Sequence, residues 1–382
     1  MKLAIILSRF PYPLEKGDKL RAYYFIKHLS KEHELFLFAL SDTKISSKDF
    51  EEIKHYCKEI KIVYLSKLQI LINLLLAPIR QLPFQVSYFY SKKNQRIFNT
   101  FISKIHPDKI LCQLIRTTEY VKEIKGIPKT LDYMDAFSKG IERRIAIEPW
   151  YLKALLKWEY KKLIAYEHAV FANFQDKLII SEQDRNAINH PKNEEIRVIR
   201  NGVNLDFFKE QKKEKKYDIL FAGNMQYPPN VESAEFLVTK ILPILKKQLP
   251  NIKIVLAGSS PTKRVLALAS KNVTVTGWIE DIRDCYAESK ILVAPMQISI
   301  GLQNKLLEAM AMKIPCVTSF QANNALQAIE KKEILLAETP EQFADAIVLL
   351  LTNNQLYASI QENGYTFVKN KYDWEKSVKQ VF

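Results

Sequence analysis

The chain has 382 residues, of which 47% are hydrophobic and 26% charged, with a formal net charge of +15. These proportions exclude a disordered or low-complexity chain and indicate a globular protein of two domains or slightly more. The four cysteines and six histidines are scattered, without a C-x-x-C pair, so the sequence predicts neither a disulfide framework nor a metal site. The positive charge indicates an acidic partner, such as a phosphorylated small molecule, an anionic lipid or nucleic acid.

The first half of the chain alternates strand and helix patterns. The short apolar start at residues 3–7 lacks a small-residue cleavage site, so it predicts a first β-strand rather than a signal peptide. Asp18 is placed to cap a helix over residues 19–29. The other predicted strands are 34–40, 60–65, 109–113, 130–132, 177–181 and 197–199, and the other predicted helices are 48–58 and 148–172. This alternation predicts a parallel sheet with helices on both faces.

The longest apolar run covers residues 68–79 and is shorter than the ~20 residues that a membrane-spanning helix needs. It is flanked by Lys67, Arg80, Lys92 and Lys93. An apolar segment edged by cations can lie on an anionic membrane surface, and we favour this interpretation. A buried helix is the alternative.

The pattern restarts after the turn signal Asn201-Gly202 and the charged run 209–216, which is predicted to be a solvated linker. The strands predicted beyond it are 217–222, 253–257, 273–276, 291–294 and 316–319, and the helices are 231–248, 281–289, 303–312 and a short final one at 373–382. This is a second doubly wound α/β domain. Ligands of such sheets bind beyond the carboxyl ends of the strands, and clefts between domains are common binding sites.

The helix predicted at 303–312 follows one of these strands. The segment leading into it is Gly301-Leu302-Gln303-Asn304. The unpaired N–H groups of a first helical turn suit a phosphate, and Lys305 adds a full positive charge at the same end. Glu308 lies one turn further on and can accept hydrogen bonds from ribose hydroxyls. The alternative is that Lys305 is a surface residue paired with Glu308.

This helix carries a family resemblance. Residues 307–311, which read Leu-Glu-Ala-Met-Ala, together with Pro315 resemble the nucleotide-sugar motif of the family 4 retaining glycosyltransferases. The segment 198–204 resembles that family's interdomain signature, residues 8–21 resemble its first-strand loop, and the aromatic pair Tyr372 and Trp374 resembles the start of its terminal helix. The resemblance spans essentially the whole chain.

The resemblance implies the GT-B fold, in which two doubly wound Rossmann-like domains face each other across a cleft. It implies an acceptor-side domain at residues 1–205, a nucleotide-sugar-binding domain at 206–371 and a terminal helix at 372–382 that crosses back to the first domain. The sequence departs from the family pattern at Ile300, where a first glutamate is usual, and at Asn224 and Pro229, where arginine and lysine are usual. Diphosphate binding is therefore assigned to Lys305, with the residues that precede it.

Several further residues are candidates because they follow predicted strands. Gly17 can let backbone approach a ligand closely, with Lys16, Lys19 and Arg21 contributing charge. In the second domain, Gly223 and Asn224 are assigned to the donor site, and the resemblance places Trp278, after Gly277, against the nucleotide base. The alternatives are a proline-stiffened loop followed by a capped helix around Gly17, and a packing role for Trp278.

Arg116 follows the strand at 109–113, and Asp135 follows the strand at 130–132. We assign both to the catalytic group with Lys305, as contacts to acceptor or donor sugar; Asp132 and Ser138 lie in the same segment. The alternative is that these are polar loop residues, with Asp135 capping a helix.

The predicted reaction transfers a hexose from a nucleoside diphosphate sugar to a glycan, without a metal or other cofactor. Retention of anomeric configuration and a lipid-linked exopolysaccharide or O-antigen acceptor rest on the resemblance. They imply a cytoplasmic enzyme at the inner face of the cytoplasmic membrane. The alternatives are a catalytically degenerate GT-B scaffold, motivated by the departures from the family pattern, and a sugar-nucleotide epimerase. A nucleic-acid partner is disfavoured because the basic residues form no compact motif with aromatic residues.

Overall fold

The computed structural model describes residues 1–297 and 301–382. The chain forms two compact units. The first comprises Met1–Asn201 and Glu375–Phe382, and the second comprises Gly202–Trp374. Each unit contains one parallel sheet covered by helices, so the predicted fold class of two doubly wound α/β domains is confirmed.

The first unit is built on a seven-stranded sheet in the order β3-β2-β1-β4-β5-β6-β7. All its strand pairs are parallel. Strands buried on both faces read as continuous apolar runs, which is why 3–7 and 34–40 were recognisable. The strands are β1 (Lys2–Leu7), β2 (Glu34–Ser41), β3 (Glu59–Tyr64), β4 (Lys109–Gln113), β5 (Lys129–Met134), β6 (Asp176–Ile179) and β7 (Arg197–Val198).

Several helices of the first unit begin at serine caps. The hydroxyls of Ser46, Ser66 and Ser91 each accept a hydrogen bond from the backbone N–H three residues further on. The helices are α1 (Gly17–Leu29), α2 (Ser47–Lys54), α3 (Lys67–Arg80), α4 (Phe84–Ser87), α5 (Lys92–Ile105), α6 (Thr118–Val121), α7 (Phe137–Ile147), α8 (Trp150–Val170) and α9 (Glu182–Ala187).

The described part of the second unit contains a six-stranded parallel sheet in the order β10-β9-β8-β11-β12-β13. Its strands are β8 (Tyr217–Ala222), β9 (Ile254–Ala257), β10 (Val273–Gly277), β11 (Ser289–Ala294), β12 (Cys316–Thr318) and β13 (Leu335–Leu336). Its helices are α10 (Pro228–Phe236), α11 (Leu242–Gln248), α12 (Lys263–Leu266), α13 (Ile282–Ala287), α14 (Asn304–Ala311), α15 (Phe320–Leu326), α16 (Pro340–Thr352) and α17 (Asn354–Lys371). The last helix, α18 (Trp374–Val378), begins at the end of this unit.

Two local expectations are wrong. Asp18 does not cap α1, because the helix begins one residue before Asp18 and the Asp18 carboxylate binds Arg9 at 2.7 Å. The charged run 209–216 is an exposed, irregular segment as predicted, and two of its lysines form surface ion pairs, Lys213 with Asp284 and Lys216 with Glu288. The final helix is shorter than the predicted 373–382.

The turn signal at Asn201-Gly202 has a packing reason. A Cβ on Gly202 would lie 2.5 Å from the backbone nitrogen of Trp374, so only glycine fits beneath that residue. The next residue, Val203, donates its N–H to the carbonyl of Tyr372 at 2.7 Å. Gly202 and Val203 therefore pack with the aromatic pair near the chain end within the second unit.

Candidate functional site

In the second unit, the loop after β8 packs tightly against the neighbouring strand end. A Cβ on Gly258 would lie 1.8 Å from the carbonyl oxygen of Gly223, a distance that no side chain tolerates. A Cβ on Gly223 would in turn lie 2.8 Å from Nδ2 of Asn230 and 3.3 Å from Nζ of Lys305. The two glycines therefore bring the backbone after β8 close to the start of α10 and to α14.

Asn230 connects this loop to the lysine of α14. Its Nδ2 donates to the carbonyl of Asn224 at 2.9 Å, which directs the amide oxygen the other way. That oxygen accepts a hydrogen bond from Nζ of Lys305 at 2.7 Å. The side chain of Asn224 accepts from the N–H of Gln226 at 2.9 Å and so fixes the turn. Asn230 was not predicted as a site residue.

Lys305 is buried, with 8% of its surface exposed, so the alternative of a surface lysine is wrong. Its Nζ lies 4.4 Å from the ring centroid of Phe221 and 3.8 Å from the sulfur of Met296. Among the described residues it has no carboxylate partner within ion-pair distance. Burial lowers the pKa of Lys305 to about 7, although the negative charge of Glu308 partly opposes this shift. A phosphate would supply the counter-charge that this amine lacks.

Glu308 lies one turn along α14 and accepts a hydrogen bond from the hydroxyl of Tyr286 at 2.7 Å. Burial raises the pKa of Glu308, and the Tyr286 hydrogen bond and Lys305 oppose that rise. Tyr286 binds one carboxylate oxygen, Oε2. The predicted contact between Glu308 and a ribose would therefore use the other oxygen, Oε1. Tyr286 was not predicted from the sequence.

The first turn of α14 begins at Asn304, and its N-cap residue Gln303 makes no side-chain capping bond to the helix among the described residues. Gly301 has φ +71°, a conformation that glycine adopts without strain. Leu302 is partly buried and packs against the core of this unit. Ile300, the departure from the family glutamate, lies outside the described residues.

Trp278 directly follows β10 and is 73% exposed. The alternative that its indole packs into the core is therefore wrong. An exposed indole at a strand end can stack on a base, which is the role that the resemblance implies.

In the first unit, some of the predicted site residues are buried and bonded within the protein, and Arg21 and Asp132 are the clearest case. Arg21 is fully buried and binds Asp132 through Nε at 2.7 Å and Nη2 at 3.0 Å. Its Nη1 donates to the carbonyl of Ile199 and to the side chain of Asn201, at 2.8 and 2.9 Å. The expectations that Arg21 contributes charge to a ligand and that Asp132 contacts a sugar are therefore wrong.

Arg116 follows β4 and is held by neighbouring side chains. Its Nε and Nη2 donate to the amide oxygen of Gln85 at 3.1 and 2.8 Å, and its guanidinium lies over the ring of Phe137. Asp18 is 3.9 Å away. Burial and the nearby Arg9 lower the pKa of Arg116 to about 10.

Asp135 follows β5 in a tight turn, in which Met134 has φ +63° and the Asp135 N–H donates to the carbonyl of Tyr133 at 2.8 Å. Burial, reinforced by Asp184, raises the pKa of Asp135 to about 7. The capping alternative is wrong, because α7 has Ala136 as its N-cap residue and no side-chain capping bond.

Two further candidates of this unit have different surroundings. Ser138 binds the buried carboxylate of Glu167 through its hydroxyl at 2.5 Å and its N–H at 3.1 Å, which gives it a structural partner. Gly17 is exposed at the start of α1, and a Cβ there would lie 3.2 Å from the terminal methyl of Met134. Gly17 therefore lies beside Met134, the residue that precedes Asp135 in the chain. Asp18, which follows Gly17, lies 3.9 Å from Arg116.

Within the described residues, no group of three or more histidine, cysteine, aspartate and glutamate side chains is arranged to hold a metal ion. The described helices also include none with both the length and the apolar character to cross a bilayer.

Comparison with known proteins gives one family match and many fold matches. Residues 216–353 match the family model described as "Glycosyl transferases group 1". The chain is 23% identical over 174 residues to an "uncharacterized 44.6 kDa protein in cps region" of Klebsiella pneumoniae. That alignment covers 43% of this chain and 45% of the relative, so the chain spans a little under half of the relative's length.

Solved structures match over the whole chain. Sucrose-phosphate synthase of Thermosynechococcus elongatus has a TM-score of 0.70 at 15% identity, covering 100% of this chain and 97% of its own. HepE of Anabaena in complex with UDP has a TM-score of 0.69 at 12% identity, covering 100% and 98%. These likenesses establish the GT-B fold. The match to the glycosyl transferases group 1 model lies within the second unit of this fold.

Proposed function

We propose that the chain is a retaining hexosyltransferase that moves a hexose from a nucleoside diphosphate sugar to a glycan acceptor. Lys305 carries this proposal: it is a buried lysine at the first turn of α14 that lacks a carboxylate partner among the described residues. The proposal draws further support from HepE, which has been crystallised with UDP and with UDP-glucose.

The chemistry needs positive charge where the diphosphate departs. As the glycosidic bond breaks, negative charge grows on the leaving phosphate, and groups already in place stabilise it without reorganising. The N–H groups at the start of α14 and the amine of Lys305 supply that charge. Burial lowers the pKa of Lys305 to about 7, and the negative charge of an arriving diphosphate raises that pKa and so favours the protonated amine. We assign Gly223 and Asn224 to the loop that admits the phosphates, Glu308 to the ribose and Trp278 to the base.

The first unit supplies the proposed acceptor-side chemistry. A carboxylate with a pKa near 7 can accept a proton at neutral pH, and Asp135 has such a pKa after β5. We propose that the Asp135 carboxylate accepts the proton of the acceptor hydroxyl as that hydroxyl attacks. Arg116, held by Gln85, is assigned to orienting the sugar.

The acceptor that we propose is a lipid-linked glycan of an exopolysaccharide or O-antigen pathway. The support is that the Klebsiella pneumoniae relative is described as lying in a cps region. The acceptor proposal is independent of the donor proposal, because a different acceptor would leave the proposed role of Lys305 unchanged.

The deciding experiment combines donor binding and transfer. Thermal-shift measurements with UDP, GDP, TDP and ADP sugars identify the donor, because a ligand that binds only the folded state raises the unfolding temperature. With that donor, Lys305→Met is expected to lower turnover by about 10²–10³-fold, the typical cost of losing one donor that stabilises developing charge. Lys271→Met, which removes an exposed lysine of the same unit, is the matched control.

A catalytically degenerate scaffold is the alternative, and one observation favours it: Asn230 already satisfies Lys305 with a 2.7 Å hydrogen bond. In that case the wild-type protein would show neither a thermal shift nor turnover with any of the four donor classes. Lys305→Met would then alter folding stability alone.

A further inference from the structure

The helix α3 presents an apolar face to solvent. Leu68, Leu75 and Ile79 are 68%, 69% and 78% exposed, and Leu71 and Ile72 are exposed between them. Positions spaced by three and four residues lie on one side of an α-helix, so these side chains form a continuous strip. We call these five residues the α3 strip.

The opposite side of α3 packs against the protein. Asn73 and Ala77 are fully buried there, Asn73 accepts a hydrogen bond from Gln69 at 3.1 Å, and Ile70 is partly buried against the core. A surface helix ordinarily turns its apolar face inward and a polar face outward. Because α3 is apolar on its outer side as well, that side is a candidate surface for contact with a further apolar partner.

The sequence segment that contains the α3 strip carries cations and no acidic side chain, and one of those cations, Lys104, is paired with Glu59. Residues 60–107 contain no aspartate or glutamate and seven cations, which are Lys61, Lys67, Arg80, Lys92, Lys93, Arg96 and Lys104. Lys67, Lys92 and Lys93 are exposed at the N-terminal ends of α3 and α5. An apolar strip in basic surroundings is complementary to a surface with negative headgroups over an acyl interior, rather than to an electrically mixed protein surface.

A second group of exposed side chains lies on α8. This helix contacts α4, the helix that follows α3 in the chain. Both oxygens of Glu159 on α8 accept backbone N–H groups at the start of α4, at 2.7 and 3.0 Å, and Phe84 packs against Trp158. The first turn of the same helix exposes Trp150 and Tyr151. Tryptophan and tyrosine are the residues that concentrate at membrane–water interfaces.

We propose that the α3 strip inserts into the boundary between headgroups and acyl chains of an anionic bilayer. Lys67, Lys92 and Lys93 contact lipid phosphates, and the Trp150–Tyr151 turn lies at the interface beside them. The proposal concerns the first unit alone and does not rest on the proposed transfer reaction.

Co-sedimentation of the full chain with lipid vesicles tests this inference. The wild-type protein is expected to pellet with vesicles of phosphatidylcholine containing 30% phosphatidylglycerol and to remain largely in solution with phosphatidylcholine alone. The triple variant Leu68→Gln, Leu75→Gln, Ile79→Gln is expected to bind the anionic vesicles at least tenfold more weakly. The triple variant Lys67→Gln, Lys92→Gln, Lys93→Gln is expected to lose a similar factor.

Matched controls separate these effects from general changes in hydrophobicity or charge. Leu266→Gln, Ile329→Gln, Leu349→Gln removes three exposed apolar residues from the second unit, and Lys240→Gln, Lys246→Gln, Lys247→Gln removes three exposed lysines there. Both controls are expected to bind like the wild type. Circular dichroism and unfolding temperature, measured on every variant, identify any variant that fails to fold.

Two results would overturn the inference. One is a strip variant that folds and pellets with anionic vesicles as well as the wild type does. The other is a wild-type protein that forms a dimer without lipid, which the strip variant converts to a monomer, because the α3 strip would then cover a second copy of the chain. Nucleotide binding is measured in parallel, so failure at the membrane leaves the donor-site proposal independently testable.

Discussion

Arg21 in the first unit and Lys305 in the second are both buried cations on helices, but their surroundings differ. Arg21 has a carboxylate partner and two further oxygen acceptors, so its charge is satisfied within the protein. Lys305 has one amide oxygen, a sulfur and an aromatic face, and burial lowers its pKa to about 7. Motif position alone had made both lysine and arginine candidates for binding a ligand. The presence of a counter-charge therefore distinguishes a structural cation from one that is available to an anion.

Removing the paired cation, Arg21, should cause a large loss in the free energy of unfolding. Arg21→Met leaves Asp132 charged and buried without its partner, and breaking a buried ion pair costs about 3–5 kcal/mol. Urea unfolding measures this loss. The matched control is Arg9→Met, which breaks the partly exposed pair with Asp18 and should cost less than about 1 kcal/mol. Equal losses for the two variants would contradict the structural role of Arg21.

The second prediction gives Lys305 the counter-charge that Arg21 already has. Asn230→Asp places a carboxylate beside Nζ, which raises the pKa of Lys305 and neutralises its field. Calorimetry should show at least a tenfold weaker affinity for the nucleoside diphosphate, about 1.4 kcal/mol. Asn251→Asp adds the same charge at an exposed position of the same unit and should leave the affinity unchanged. Unchanged affinity in Asn230→Asp would place the diphosphate away from Lys305.

The third prediction concerns pH. With a folded-state pKa of about 7 against 10.5 as its ordinary value, Lys305 is neutral in the native state and protonated in the unfolded state between those limits. The native state therefore binds fewer protons there, so the contribution of Lys305 makes stability rise with pH above 7, by at most about 1.4 kcal/mol per unit. Below pH 7 both states are protonated and this slope vanishes.

The measurement is the free energy of unfolding of the wild type minus that of Lys305→Met, taken from pH 6 to pH 9. Diphosphate affinity should change in the opposite direction and fall above pH 7, since binding favours the ammonium form. A difference curve that is flat across pH 7–9 would show that the amine stays charged in the folded protein.

The smallest effect is expected at Trp278. Trp278→Ala removes an exposed indole, so stability should change by less than about 0.5 kcal/mol, while loss of stacking on a base should cost about 1 kcal/mol of donor affinity. Trp150→Ala, at an exposed tryptophan of the first unit, is the control and should not affect nucleotide binding. If both variants bind the nucleotide like the wild type, Trp278 does not contact the base.

The sequence was sufficient to predict the parallel sheets because most of their strands are apolar runs that end in glycine, proline or polar residues. It was insufficient for β13, whose two residues are too short to show a pattern. The helices α16 and α17 were also missed. The start of α16 did carry a recognisable signal, since Thr339 and Gln342 form a capping box.

The site was predicted less completely than the fold. Lys305 and Glu308 came from a local motif, whereas their partners come from distant parts of the chain: Asn230 is 75 residues from Lys305, and Tyr286 is 22 residues from Glu308. Neither pairing has a local signature, because it is created by the packing of α10 and α13 around β8 and β11. For the same reason, Arg21 could not be recognised as structural without Asp132, which is 111 residues away.

The contact between Gly223 and Gly258 also has an evolutionary consequence. Any side chain at position 258 would displace the peptide that follows β8, and with it the carbonyl of Asn224 that orients the amide of Asn230. Positions 223 and 258 should therefore tolerate almost no variation, although neither glycine provides a functional group. In a saturation library selected for sugar transfer, we expect glycine to be recovered at both positions, whereas selection for folded protein alone should be more permissive at 223.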